Sequence, residues 1–144
     1  GRTNCGWKKG DVSQQKARDR LVEMAERDVA VAERVMGEGA YLRPNFIQAY
    51  KCTNVLVDGV MIVNSPMWEI HPVLCRNVTV RNVKVETHGP NNDGCNPESC
   101  TDVLIEGCEF DTGDDCIAIK SGRNRDGRHG RGRRWLAARQ PRLR

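Results

Sequence analysis

The sequence of 144 residues lacks any run of about 18 apolar residues, the length that a membrane-spanning helix requires, so no association with a membrane is expected. A secretory signal is also absent, but the chain begins with Gly1 rather than Met, so this absence says little about export. A basic excess is missing from most of the chain. The net charge of +4 comes from residues 123–144, which hold nine arginines and one acid, whereas residues 1–122 hold 14 basic and 18 acidic residues.

The Arg-rich segment at residues 123–144 has no strand period and interrupts the pattern that precedes it. We interpret it as a disordered or aberrant end, such as a translated frameshift. A basic tail that binds nucleic acid is the alternative. Because the segment breaks the established pattern, the aberrant end is the preferred interpretation, and no nucleic-acid partner is expected.

Residues 1–40 are interpreted as a helical and loop segment. Ser13 is a candidate N-cap, and the helix that follows carries Leu21, Met24 and Ala25 on one face. Gly37 and Gly39 close this region. We expect the helix to pack over the end or the side of a larger core.

Residues 41–122 contain three segments that share one pattern. The segments begin at Cys52, Cys75 and Cys100, so they recur at a nearly constant offset. Within each, apolar residues alternate, and the phase resets at a small or polar pair, as in two short strands joined by a tight bend. The matched apolar positions are Val55, Val78 and Val103; Val57, Val80 and Ile105; Val60, Val83 and Cys108; and Ile62, Val85 and Phe110.

A period in the low twenties that is built of short strands is typical of a β-solenoid. In such a stack each inward side chain lies on its equivalent one rung away, about 4.8 Å along the axis. A leucine-rich repeat is the competing solenoid, but its consensus and its helical return segment are absent. A β-sandwich also has short strands at this spacing, yet it does not require the same residue type at the same offset three times.

Seven cysteines in a small chain raise the question of a disulfide framework. Cys52, Cys75 and Cys100 occupy one column of the repeat, where cysteine serves as a small buried hydrophobe. Buried thiols are therefore our first interpretation, disulfides between neighbouring rungs the second, and a metal site the third, because no pair has a zinc-knuckle spacing.

Two segments interrupt the apolar pattern with acids. Asp93 precedes the pair Asp114 and Asp115 by close to one repeat, so the three carboxylates should share one patch on adjacent rungs. Crowding of like charges raises the pKa of at least one member. A raised acid beside ionised neighbours is what glycoside hydrolysis needs. Turn residues or a cation site are the alternatives for each motif taken alone.

At these residues the sequence resembles the family 28 glycoside hydrolases, the polygalacturonase family. Asn91-Asn92-Asp93-Gly94 is similar to the family's Asn-Thr-Asp-Gly, with Asn in place of Thr. Gly113-Asp114-Asp115-Cys116 and the following Ile-Ala-Ile-Lys-Ser-Gly match the Gly-Asp-Asp signature. The resemblance extends from about Gly37 to Gly122, and it includes Tyr41-Leu-Arg-Pro and Asn64-Ser-Pro-Met-Trp68.

The resemblance implies an all-β fold, a right-handed single-stranded parallel β-helix of the pectin-lyase-like kind, here partial and with one N-terminal helix. It implies an inverting mechanism in which Asp114 is the general acid, while Asp93 and Asp115 hold and deprotonate the attacking water. The expected partner is a pectic polysaccharide or an oligogalacturonide, bound by a monomer without cofactor or metal. For the parent protein a secreted or periplasmic location is expected.

Four further residues are candidates for binding substrate: His71, Trp68, Asn91 and Lys120. His71 either contacts sugar or fills a turn. Trp68 either stacks on a sugar face or packs as a buried indole. Lys120 follows the alternation of Ile117 and Ile119 and points outward, towards substrate or towards solvent.

The family's Gly-His-Gly histidine and its Arg-Ile-Lys pair have no counterpart here, and His129-Gly130 is interpreted as a chance match. We therefore expect residues 1–144 to be inactive or barely active, while the parent protein is a hydrolase. One alternative is a pectate-lyase-like enzyme with calcium bound by the acids, although no well-placed arginine accompanies them. The other is a non-catalytic solenoid that binds carbohydrate.

Overall fold

The computed structural model describes residues 13–123, together with the backbone of residues 136–139 and 142–143. Helix α1, Gln15–Glu26, opens this part, and a short 3-10 helix follows at Val31–Glu33. The N-cap of α1 is Gln14 and not the predicted Ser13, which lies one residue earlier and whose hydroxyl accepts a hydrogen bond from the amide of Gln15 at 3.3 Å. Within the described residues, no helix has both the length and the apolar character needed to cross a bilayer.

The described strands form two parallel sheets. Odd-numbered strands make one sheet in the order β1-β3-β5-β7, and even-numbered strands make the other in the order β2-β4-β6-β8. Each strand therefore pairs with the strand one full coil further along the chain, which confirms the predicted parallel β-helix with one N-terminal helix. The strands are β1 Thr53–Asp58, β2 Met61–Val63, β3 Arg76–Arg81, β4 Lys84–Thr87, β5 Thr101–Glu106, β6 Glu109–Thr112, β7 Leu136–Arg139 and β8 Arg142–Leu143.

The register of these sheets reproduces the ladders that the repeat predicts. Val55 pairs with Val78 and Val78 with Val103 in one sheet, while Ile62 pairs with Val85 and Val85 with Phe110 in the other. The inward members are almost fully buried in the later coils, where Phe110 has no exposed surface. Stacked equivalents thus form the single apolar core of the described coils.

Bends between the two sheets depend on residues that tolerate the left-handed backbone region. Gly59, Asn82 and Gly107 stand at equivalent bends, one in each segment of the repeat, with φ of 66°, 52° and 59°. Glycine and asparagine adopt this conformation at low cost, which explains why the alternation resets at these small or polar residues.

A third face of the coil is made of isolated bridges rather than strands. Ile47, Ile70, Cys95 and Ile117 pair successively along it. Tyr50, Val73, Glu98 and Lys120 form a second such column. This face directly follows the second sheet in each coil, and its register fixes which residues of the connecting turns stand one above another.

The described cysteines are free thiols, and Cys5 lies outside the described residues. In the predicted column, the amide of Cys52 donates to the sulfur of Cys75 and the amide of Cys75 donates to the sulfur of Cys100, each at 3.4 Å. Cys75 and Cys100 are buried, whereas Cys52 is exposed at the outer end. Burial raises the pKa of the Cys100 thiol to about 11.

The segment at residues 123–144 differs from its prediction at two places. β7 extends the first sheet with Leu136 opposite Val103, and β8 extends the second with Leu143 opposite Phe110. These two strands depart from the sequence pattern, which shows no strand period in the segment. The repeat gives little indication of β7, because Leu136 follows Val103 by clearly more residues than separate Val78 from Val103. Whether the segment is an aberrant end concerns residues that lie mostly outside the described part.

Candidate active site

The acids stand in turns that leave the second sheet. β4 ends at Thr87 and β6 ends at Thr112, and the following turns run side by side: the amide of Gly94 donates to the carbonyl of Asp115 at 2.9 Å. Cys95 pairs with Ile117, so Asp93 and Asp115, each two residues earlier, occupy equivalent positions on adjacent rungs. We call the turns at residues 64–71, 88–96 and 113–117 the acid corner.

Asp93 is almost completely buried, with 3% of its surface exposed. Its Oδ2 atom accepts hydrogen bonds from the side-chain amide of Asn96 at 2.9 Å and from the ammonium of Lys120 at 3.1 Å. A carboxylate at such depth requires donors of this kind, because an unpaired buried charge costs several kcal/mol. Asp93 is therefore held in one orientation beneath the surface of the corner.

Asp114 and Asp115, in contrast, are exposed. Oδ1 of Asp114 accepts from the backbone amide of Asp115 at 3.0 Å, and its Oδ2 accepts from the side-chain amide of Asn91 at 3.3 Å. Neither aspartate lies in a regular strand, since β6 has ended at Thr112, so neighbouring residues need not point to opposite faces.

Gly113 makes this irregular turn possible. A Cβ atom at this position would lie 2.5 Å from the carbonyl oxygen of Gly89 and 2.6 Å from the carbonyl carbon of His88. These distances are well inside van der Waals contact with backbone atoms, which cannot easily move. The close approach of the two turns therefore depends on glycine.

Three of the four predicted substrate-binding residues lie close to one another. The ammonium of Lys120 is 4.7 Å from the ring centroid of Trp68 while it pairs with Asp93, a cation–π arrangement on a half-buried indole. The rings of Trp68 and His71 meet edge to face at 4.8 Å between centroids. Trp68 precedes Ile70 as Asp93 precedes Cys95, so the indole stands one rung before Asp93.

His71 is buried, with 6% of its surface exposed. Its Nδ1 lies 2.6 Å from the amide nitrogen of Asn45 and its Nε2 lies 2.9 Å from Oε2 of Glu98, so both ring nitrogens have protein partners. This placement favours the turn-filling interpretation of His71 over direct contact with a sugar. Asn91, the fourth candidate, is exposed and touches Asp114, as described above.

A buried carboxyl group that the sequence analysis missed lies under the corner. Glu69 has no exposed surface, and its Oε1 accepts a hydrogen bond from the hydroxyl of Thr87. Burial raises the pKa of Glu69, hydrogen bonds from Ser65 and Thr87 oppose this, and the charge of Asp93 adds to the rise. The available signal was the rung register, in which Glu69 stands immediately beside Trp68 and one rung before Gly94.

Arg43 and Asn96 were also missed as site residues. Asn96 follows Asp93 by three residues and holds its carboxylate. Arg43 belongs to the Tyr41-Leu-Arg-Pro stretch and reaches Asn91, with Nη2 at 2.7 Å from Oδ1. Within the described residues, no group of three or more histidine, cysteine, aspartate or glutamate side chains has the arrangement of a metal site.

Comparison with known proteins gives a consistent set of relatives. The family model described as Glycosyl hydrolases family 28 matches residues 34–127. The chain is 39% identical over 88 residues to a probable polygalacturonase of Vitis vinifera, covering 60% of this chain and 18% of that protein. It is 31% identical over 94 residues to endopolygalacturonase I of Aspergillus aculeatus, covering 61% of this chain and 25% of that protein.

Two solved structures resemble the fold. A hyperthermoactive exopolygalacturonase from Thermotoga maritima is 61% identical, with a TM-score of 0.80, over 85% of this chain and 28% of that one. A family 28 exopolygalacturonase of Yersinia enterocolitica is 19% identical, with a TM-score of 0.60, over 85% of this chain and 20% of that one, a likeness of fold alone. The chain thus spans about a fifth to a quarter of the length of the relatives it matches.

Proposed function

We propose, from the premise that this chain belongs to glycosyl hydrolases family 28, that it carries the catalytic carboxylates of an inverting hydrolase of α-linked galacturonan. The observation that supports this most directly is the rung register, which stacks Asp93 and Asp115 on adjacent coils with Asp114 next to them. An apolar solenoid has no need of three acids at one corner, and Asp93 is tolerated in its buried position because Asn96 and Lys120 donate hydrogen bonds to it.

In the proposed reaction Asp114 donates its proton to the glycosidic oxygen as the bond from that oxygen to the anomeric carbon breaks. A water molecule attacks the anomeric carbon from the opposite face, and Asp93 or Asp115 takes the proton that the water loses. The products are a free hydroxyl on the departing chain and a reducing end of inverted configuration. This role requires room for water between acid and base, which inverting enzymes provide by separating the carboxyl groups by roughly 6.5–9.5 Å.

Galacturonan is a polyanion, so its binding needs cations at the site. Lys120 is the candidate cation beside the acid corner, where its side chain is 28% exposed and already pairs with Asp93. An arriving uronate carboxylate would share this ammonium, while the half-buried indole of Trp68 offers an apolar surface beside it. We assign Asn91 to the orientation of Asp114 and His71 to the support of the Trp68 ring.

The test is a chimera in which residues 13–122 replace the matched segment of the Thermotoga maritima exopolygalacturonase. Such a chimera also supplies the residues that the family pattern places after Lys120. We expect it to release reducing ends from polygalacturonate. Asp114→Asn, Asp93→Asn and Asp115→Asn should each lower kcat by about 10²–10⁴, the usual contribution of a general acid or base.

Asp111→Asn is the matched control, because Asp111 lies on the same stretch, is partly exposed and pairs with His88 rather than with the acids. It should retain nearly full turnover. Proton NMR of fresh product should show the inverted anomer. Full turnover by the Asp114→Asn chimera would contradict the proposal, unsaturated products absorbing in the ultraviolet would indicate a lyase, and binding without any turnover would indicate a carbohydrate-binding solenoid.

A further inference from the structure

The side chain of Arg43 extends along the axis of the coil towards the acids. It precedes Ile47 by four residues, as Pro66 precedes Ile70 and Asn91 precedes Cys95, so the three residues are rung equivalents. The step from Arg43 to Asn91 covers two rungs, about 9.6 Å at the usual spacing between strands. An extended arginine is among the few side chains that can cross this distance to meet the partner residue.

The guanidinium group links the segment that holds Arg43 to the turns at residues 64–71 and 88–96. Nη1 of Arg43 donates to the carbonyl oxygens of Pro66 at 3.1 Å and Pro90 at 2.9 Å, while Nη2 donates to Oδ1 of Asn91 at 2.7 Å. The backbone of Arg43 is itself held at the start of the helical segment, since its amide donates to Oε1 of Gln14 at 3.2 Å. Lysine carries its donors on one nitrogen and lacks the planar fork by which Arg43 meets these acceptors from two nitrogens.

The contact with Arg43 decides which way the amide of Asn91 faces. A guanidinium group only donates hydrogen bonds, so it must meet the oxygen of the amide. The NH₂ end of Asn91 is thereby directed at Oδ2 of Asp114, at 3.3 Å. Because Oδ1 of Asp114 accepts from the amide of Asp115, both carboxylate oxygens have a fixed donor.

We propose that Arg43 is a positioning residue which, by orienting Asn91, fixes the carboxyl group of Asp114 for catalysis. This inference rests on the proposed function, because it takes Asp114 as the general acid. Arg43 acts through Asn91 rather than on the substrate. Its role is to prevent Asn91 from turning over, which would aim an amide oxygen at the ionised carboxylate that Asp114 becomes on giving up its proton and leave two acceptors facing each other.

The contact itself is tested in the protein without any assay of activity. In ¹⁵N-labelled protein the Nδ2 group of Asn91 should have an order parameter near that of rigid backbone, about 0.85, and Arg43→Met should lower it to below about 0.6. Arg43→Lys should give an intermediate value. Arg81→Met is the matched control, because Arg81 pairs with Asp58 through two nitrogens on another face. An Asn91 side chain equally rigid in Arg43→Met would overturn the proposal.

Kinetics of the chimera test the catalytic consequence. Arg43→Met should lower kcat by about 10–100-fold with KM changed less than about twofold, since a misplacement of about 1 Å can cost about 10². Adding methylguanidine to Arg43→Ala should restore part of kcat, which a general loss of stability would not allow. A mobile Asn91 with unchanged kcat would overturn the inference alone. Full turnover in Asp114→Asn, or an inactive parent chimera, would overturn the proposed function instead, while the NMR measurement still decides the contact.

Discussion

The stacked strands and the acid corner belong to the same coils and share the same rung spacing, yet they differ in the side chains that they bury. In the strands, the fully buried positions are apolar, as with Val80, Val85 and Phe110, except for Thr87 at the end of β4. In the corner, Ile70 and Cys95 are buried apolar residues, and the other buried side chains are polar: Ser65, Glu69, His71, Asn92, Asp93 and Asn96. The strands therefore supply most of the apolar burial that stabilises the solenoid, and the corner holds the polar groups of the proposed site.

The hydrogen bonding of the two regions differs in the same way. The strands satisfy their backbone groups in regular parallel ladders. In the corner, three buried side-chain oxygens have no hydrogen-bond partner among the described residues, namely Glu69 Oε2, Asn92 Oδ1 and Asn96 Oδ1. An unsatisfied buried group costs about 1–3 kcal/mol, so these three oxygens lower the stability of the turns that hold them. A concentration of unsatisfied buried polar groups is typical of functional sites.

Removing the largest buried side chain of the strands should have the largest effect on stability. Phe110→Ala deletes a ring with no exposed surface, and we expect a loss of about 3–5 kcal/mol in the free energy of unfolding because a cavity remains. Leu56→Ala, at a position 58% exposed on β1, is the control and should cost under about 0.5 kcal/mol. Urea denaturation measures both, and equal losses would show that the ladders are not the main source of stability.

Adding a methyl group in the acid corner should have a smaller effect. A Cβ atom on Gly94 would lie 2.5 Å from the ring of Phe110 and 2.6 Å from the carbonyl oxygen of Cys116. Gly94→Ala should therefore cost about 1–3 kcal/mol through overpacking. Gly37→Ala, where no atom lies within 4 Å of the added carbon, should be neutral or slightly stabilising. If the two variants unfold at the same urea concentration, the close packing of the corner against the core would be refuted.

Sequence reasoning succeeded where equivalent residues repeat. The Val55, Val78 and Val103 ladder could be predicted because three coils carry the same residue type at matched offsets. The shared rung position of Asp93 and Asp115 followed from a separation close to one repeat. Both predictions needed only the period, which is a property of the sequence itself.

Sequence reasoning failed where a contact depends on how far a side chain reaches. Arg43 meets Asn91 across two rungs, and neither residue type nor spacing indicates that reach. Lys120 was predicted to point outward to the cleft side, and the structure adds the specific partner that the alternation could not give, Asp93. Glu69 was missed because its rung position, one coil before Gly94, does not by itself indicate burial.

The smallest effect should come from the buried Glu69, and it should depend on pH. Because burial raises the pKa of this carboxyl in the folded protein, the unfolded chain releases the proton first as pH rises. The folded state therefore loses stability from about pH 4.3, the ordinary glutamate value, up to the raised pKa of the folded protein, and the loss is constant above it. Glu69→Gln keeps the shape and removes this titration, so we expect its stability relative to wild type to increase over that range.

Urea denaturation of both proteins between pH 4 and pH 8 measures the difference. The values at pH 4 serve as the internal reference, because there the wild-type carboxyl is largely protonated in both states and only the change from acid to amide is compared. The groups that face Glu69 are Ser65, Thr87 and Asp93, so Asp93→Asn should reduce the pH dependence by removing the neighbouring charge. A difference in the free energy of unfolding between wild type and Glu69→Gln that stays constant with pH would mean that this carboxyl titrates in the folded protein as it does in water. The corner would then not impose a cost on its buried acid.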